Sequence, residues 1–73
     1  MNDFNKYKNM HPEYLIIIRK GIFGEIYNTD AIVASKYLND GTYENGIYRI
    51  EWSLLSNALS KLINAGHRVA TVE

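Results

Sequence analysis

The sequence predicts an α/β (α+β) fold: a mixed sheet of about four strands with three helices, in the order α-β-β-α-β-α-β. Three observations carry this expectation. The Leu- and Ile-rich run from Tyr14 to Arg19 has the continuous apolar character of a strand buried on both faces. Just past Gly21, the segment Phe23 to Tyr27 reads as a second strand, and the short spacing joins the two as an antiparallel hairpin. Near the end of the chain, Leu54, Leu55, Ala58, Leu59, Leu62 and Ile63 fall on one helical face, with Ser56, Asn57, Ser60, Lys61 and Asn64 opposite.

The other elements follow from their punctuation. Asp3 to Met10 is expected to form a short helix with Phe4 and Tyr7 one turn apart, ended by His11-Pro12. After the hairpin, a side-chain oxygen of Thr29 or Asp30 is expected to cap a helix reaching Leu38. Asn39-Asp40-Gly41 is a turn, and Tyr43 to Ile50 alternates as one third strand. Ser53 is expected to cap the last helix and Gly66 to end it in the left-handed conformation, before His67 to Val72 closes the sheet. If the third and last strands share a sheet, their connection is a right-handed parallel crossover.

Composition narrows the function. A chain of 73 residues makes a single domain, 1–73, with a thin stability margin and no room for a large enzyme core. The lack of cysteine excludes disulfides, thiolate zinc sites and thiol nucleophiles. The start, Met1 to Met10, is polar and the longest apolar run, Leu15 to Ile18, is far short of a membrane span, so a soluble cytoplasmic protein is expected. Eight basic residues balance eight acidic ones, which weighs against a grip on nucleic acid dominated by phosphate neutralisation.

No catalytic or metal constellation stands out. His11 and His67 are distant in sequence, with no ligand partner at helical spacing, so no metal and no cofactor are expected. Ser53, Ser56 and Ser60 lack a nucleophile elbow and a His-acid partner, and Gly41 and Gly46 lack the spacing of a phosphate-cradling loop. Trp52 reads as a core anchor at the helix entrance. The second helix, with Ala31, Ile32, Val33, Ala34, Tyr37 and Leu38, is apolar nearly all round, whereas the sheet covers one side of it. A homodimer or a partner protein over Ile32 and Val33 is therefore expected.

A longer pattern runs through these elements. His11-Pro12-Glu13 precedes the buried strand, and Arg19-Lys20-Gly21-Ile22-Phe23-Gly24-Glu25-Ile26-Tyr27 follows, then Asp30-Ala31 and Ala34-Ser35. Beyond the turn come Ile50, Trp52, the helix end Leu59-Ser60-Lys61-Leu62-Ile63-Asn64-Ala65-Gly66, and Arg68-Val69-Ala70-Thr71-Val72-Glu73. In this order the segments resemble the N-terminal mismatch-recognition domain of the MutS family of DNA mismatch repair proteins, over nearly the whole chain.

The resemblance implies a non-enzymatic DNA-binding module for mismatched or distorted duplex, acting in DNA repair. It implies that Phe23 enters the minor groove and stacks on a mispaired base while Glu25 accepts a hydrogen bond from that base. The residue types suit these roles. An aromatic wedge must unstack a base step, and a mispaired step costs less to open. Arg19 and Lys20, beside Gly21, are second-tier candidates for contacts to the flanking phosphates. Read without this context, Phe23 is a strand core residue, Glu25 a solvated or edge charge, and Arg19 and Lys20 a surface basic pair.

The departures from the family pattern have consequences of their own. Ile22 stands where an acidic residue is usual and Gly24 where a bulky one is, which implies a looser hairpin tip. Ile32 and Val33 replace basic residues, and the family's long basic insertion shrinks to Asn39 through Gly46, which implies one or two fewer strands. A competing reading is a protein-interaction or oligomerisation module that keeps the MutS-like fold without DNA recognition.

Overall fold

The computed structural model describes residues 4–73, so the part of the expected first helix at Asp3 lies outside the described residues. The elements are α1 (Phe4–Met10), β1 (Tyr14–Lys20), β2 (Phe23–Tyr27), α2 (Asn28–Tyr37), β3 (Thr42–Glu44), β4 (Ile47–Glu51), α3 (Leu55–Asn64) and β5 (Arg68–Val72). A 3-10 turn, Trp52–Leu54, leads into α3. Among these residues no helix is long and apolar enough to cross a membrane.

The strands form one mixed sheet in the order β3-β4-β2-β1-β5. β1 runs antiparallel to β2 and parallel to β5, which places the Ile-rich segment inside the sheet and buries Leu15, Ile16, Ile17 and Ile18 on its two faces. β4 is antiparallel to β2 and so runs parallel to β5, with β2 and β1 between them. The parallel relation expected of the third and last strands therefore holds.

The sheet has five strands rather than about four, because Tyr43 to Ile50 is a hairpin and not one strand. Asn45 and Gly46 take φ of 53° and 80°, the left-handed conformation at both central positions that a type I′ turn requires. Asn-Gly between Tyr43 and Tyr48 is a strong sequence signal for such a turn, and the alternation across it masked the break.

Alternation along each strand sorts the core into two layers. On one face Leu15, Ile17, Ile26, Tyr48 and Ile50 pack with Ala31, Ala34 and Leu38 of the α2 segment and with Leu55, Ala58 and Leu62 of α3. On the other face Ile16, Ile18 and Tyr27 pack with Phe4 of α1, and the Phe4 and Tyr27 rings lie 5.6 Å apart. α1 is a single short helix, and among the described residues Lys20, Arg49 and Glu51 on the other part of this face are exposed.

Three expectations about the helices are corrected. Neither Thr29 nor Asp30 caps α2: Tyr27 occupies that position with no side-chain cap, and Asn28 makes the strand-to-helix bend at φ 56°. Asp30 sits inside the first turn, 6% exposed, where Oδ2 accepts the Ile16 N–H at 3.1 Å and Oδ1 pairs with Lys8 Nζ at 3.0 Å. Its carboxylate is used on β1 because β2 pairs with β1 only between Ile18 and Lys20, leaving the Ile16 amide to another acceptor. Ser53 does not cap α3 either; it lies within the 3-10 turn, and the cap position falls on Leu54 with no side-chain bond. Ile63, placed by periodicity on the apolar face, is 57% exposed because it lies about 100° around the axis from fully buried Leu62.

Gly24 decides how the β1–β2 hairpin is packed. A Cβ there would lie 3.1 Å from Ile17 Cγ2 and 3.2 Å from the Trp52 ring, so the absent side chain is what lets Trp52 lie over the strand. The Trp52 N–H also donates to the Ile22 carbonyl at 2.8 Å. The tip is thereby tied down, contrary to the looseness its departures implied.

Candidate functional site

Along β2, period two sends Phe23, Glu25 and Tyr27 to the α1 face and Gly24 and Ile26 to the other. Pairing then fixes their neighbours. Lys20, Phe23 and Glu51 form one row across the sheet, and Ile18, Glu25 and Arg49 the next. Residues directly opposite in an antiparallel pair share a face, so Lys20 and Arg49 stand beside Phe23 and Glu25.

Both oxygens of Glu25 accept hydrogen bonds. Its Oε1 accepts the Tyr27 hydroxyl. Its Oε2 takes the Arg49 guanidinium through Nε at 3.0 Å and Nη2 at 2.8 Å. The same guanidinium carbon lies 5.6 Å from the centre of the Phe23 ring, where a cation is attracted to the π face. Burial, and then the hydrogen bond and negative charge of Glu25, push the Tyr27 phenol well above its ordinary range, with Arg49 opposing. Tyr27 is therefore a neutral donor that holds the carboxylate from one side while Arg49 holds it from the other.

The hairpin tip is built by Gly21 and Ile22. Gly21 has φ of 65°, and Ile22 is 70% exposed beside Phe23. Lys20 pairs directly with Phe23, so three of the DNA-binding candidates, with Gly21, gather at one end of the face. Arg19 does not join them. It pairs with Gly24 on the opposite face, stacks 5.0 Å from the Trp52 ring, and bonds the Gly21 carbonyl at 3.0 Å and Glu73 at 3.3 Å. There it borders an open recess of about 420 Å³ with Ile22, Glu51, Trp52 and Ser53.

The two interface candidates also separate. Ile32 is 46% exposed on the outer side of α2, whereas Val33 is half-buried against the chain's own core. Arg49 is the residue that sequence reading missed. Alternation between buried Tyr48 and Ile50 marked it as outward-facing, but its place opposite Glu25 depends on the β2–β4 register.

A mixed five-stranded α+β sheet whose open face carries an aromatic and a carboxylate at one hairpin tip is the class of protein defined so far. Residues 1–73 match the family described as MutS domain I, and the chain belongs to that family. It is 33% identical to the DNA mismatch repair protein MutS of Methanothrix thermoacetophila, over 100% of this chain and 10% of that protein. It is 29% identical to the DNA mismatch repair protein MutS of Aquifex pyrophilus, over 96% of this chain and 9% of that protein. The chain thus spans about a tenth of the length of the curated relatives it matches.

Proposed function

We propose that the chain is a non-catalytic module that binds mismatched or distorted double-stranded DNA, with Phe23 as an aromatic wedge and Glu25 as the acceptor for the displaced base. The observation that carries this reading is the shared face of Phe23 and Glu25 at the uncovered end of the sheet, beside Lys20 and next to the hairpin tip. A wedge has to be supported from behind, and Trp52 lying over Gly24 supplies that support. The relatives named above, DNA mismatch repair proteins, favour the same reading.

Affinity is weak in this reading, since the net charge is zero and the two residues paired with Phe23 across the sheet, Lys20 and Glu51, carry opposite charges. Titration of a fluorescent duplex with and without a G·T mismatch tests it. The mismatched duplex binds more tightly, and Phe23→Ala removes the difference. Equal binding of both duplexes by the unmodified chain defeats the proposal. A second reading, a protein-interaction module, is favoured by exposed Ile32 and Tyr37 on α2 and by the absence of net charge.

A further inference from the structure

We infer that Arg49 is a further specificity-determining residue of this site: a cation parked on Glu25 in the free protein that passes to a DNA phosphate when a mispaired base takes over the carboxylate. The inference rests on the proposed reading of Phe23 and Glu25. It starts from the cover over Glu25: both oxygens already accept hydrogen bonds and the side chain is 12% exposed, so that a base donor reaches the carboxylate by moving one of the two partners.

The two partners differ in mobility. Tyr27 is 6% exposed and its ring packs against Phe4, which fixes the hydroxyl in place. The Arg49 side chain is 50% exposed, and an ion pair at such a position contributes little net stability. Arg49 is therefore the partner that yields.

Its other contact is lost in the same event. The guanidinium leans on the Phe23 ring, and a ring inserted between bases no longer offers that face. Arg49 then has neither acceptor nor ring, and it stands one strand from a groove whose walls are phosphates. On matched duplex the wedge stays out, Glu25 keeps its cation, and the pair presents no net charge. The positive charge becomes available only where a mismatch is read. A chain with equal numbers of acidic and basic residues thus gains a phosphate contact conditionally.

The salt dependence of binding reads this directly, because each neutralised phosphate adds roughly 0.9 to the slope of log affinity against log salt. The expected result is a slope for G·T duplex steeper by about 0.9 than for matched duplex. Arg49→Gln should equalise the two slopes and lower mismatch affinity several-fold, while Arg49→Lys, which keeps a point charge, should retain the difference. Equal slopes in the unmodified chain overturn the inference, as does a slope difference that survives Arg49→Gln. If the unmodified chain prefers mismatched duplex and Phe23→Ala abolishes that preference, the wedge reading stands whatever Arg49 does. A chain that binds both duplexes alike overturns both. Should Arg49→Gln fail to fold by circular dichroism, the slopes of the unmodified chain and of Arg49→Lys decide the question.

Discussion

Lys8 Nζ lies 3.0 Å from Asp30 Oδ1 and 2.6 Å from the Tyr14 carbonyl, so one ammonium fastens α1 to both β1 and α2. Asp30 completes the tie through the Ile16 amide. Breaking a buried pair by removing one partner leaves an uncompensated group, at a cost of about 3 kcal/mol or more. Asp30→Ala should therefore cost a large part of the stability of so small a domain, as read by the urea midpoint. Lys8→Met should cost less, because it leaves Asp30 its bond from the Ile16 amide, whereas Asp30→Ala strips both that amide and the Lys8 ammonium of the carboxylate. Equal losses would mean that the Ile16 bond matters little.

Two glycines are expected to respond to the same substitution by different amounts. At Gly41 an added Cβ would fall 2.3 Å from the Arg49 carbonyl oxygen, and backbone cannot step aside. Gly41→Ala should then destabilise by more than about 3 kcal/mol, above the usual overpacking range. Gly24→Ala meets side chains at 3.1 and 3.2 Å that can shift, so a loss of about 1 to 2 kcal/mol is expected. Thermal unfolding of both variants gives the order, and a Gly24 variant that is the worse of the two would contradict the packing described at Trp52.

Tyr27 makes the fold sensitive to base. Burial and Glu25 raise its folded-state value above the 10.0 ordinary for the unfolded chain, so the native state holds its proton longer. The stabilisation is complete below pH 10 and declines as pH rises above that value, where the unfolded chain ionises and the native one resists. Tyr27→Phe should lose about 1 kcal/mol at neutral pH from the missing hydrogen bond and show a flatter decline above pH 10. Urea midpoints at pH 7 to 11 measure this on a scale on the order of that single bond. A variant whose alkaline decline matches the unmodified chain would remove Tyr27 as its source.

Ile32 separates assembly from DNA binding. It is exposed on α2, on the far side of the sheet from Phe23 and Glu25, and Val33 beside it is already half-buried in the core. Ile32→Asp should abolish any self-association seen by sedimentation while leaving duplex affinity unchanged. Val33→Asp should unfold the domain instead. A chain that sediments as a monomer at high micromolar concentration would count against a homodimer through α2.

Much of the fold was legible because its signals are local. The Leu15 to Ile18 run, the Gly21 punctuation and the apolar stripe of α3 each reflect a backbone period or a steric need of one segment, and the elements stand where those signals put them. Errors fell where two local rules competed. Alternation outweighed Asn45-Gly46 and fused two strands, and cap propensity outweighed the chance that Asp30 would turn inward. Phe23 and Glu25 were readable as a pair on one face from strand period alone.

By itself, then, the sequence determined the order of every element except the β3–β4 hairpin, the burial of β1 on both faces and the shared face of Phe23 and Glu25, since all of these follow from spacing along one chain segment. Only the tertiary structure decided that Arg49 faces Glu25, that Arg19 turns to Trp52 on the opposite side, and that Asp30 closes the gap above β1. Those relations depend on strand register, in which a shift of one residue sends every side chain to the other face. Register is fixed by the packing of all five strands together, which no single segment encodes.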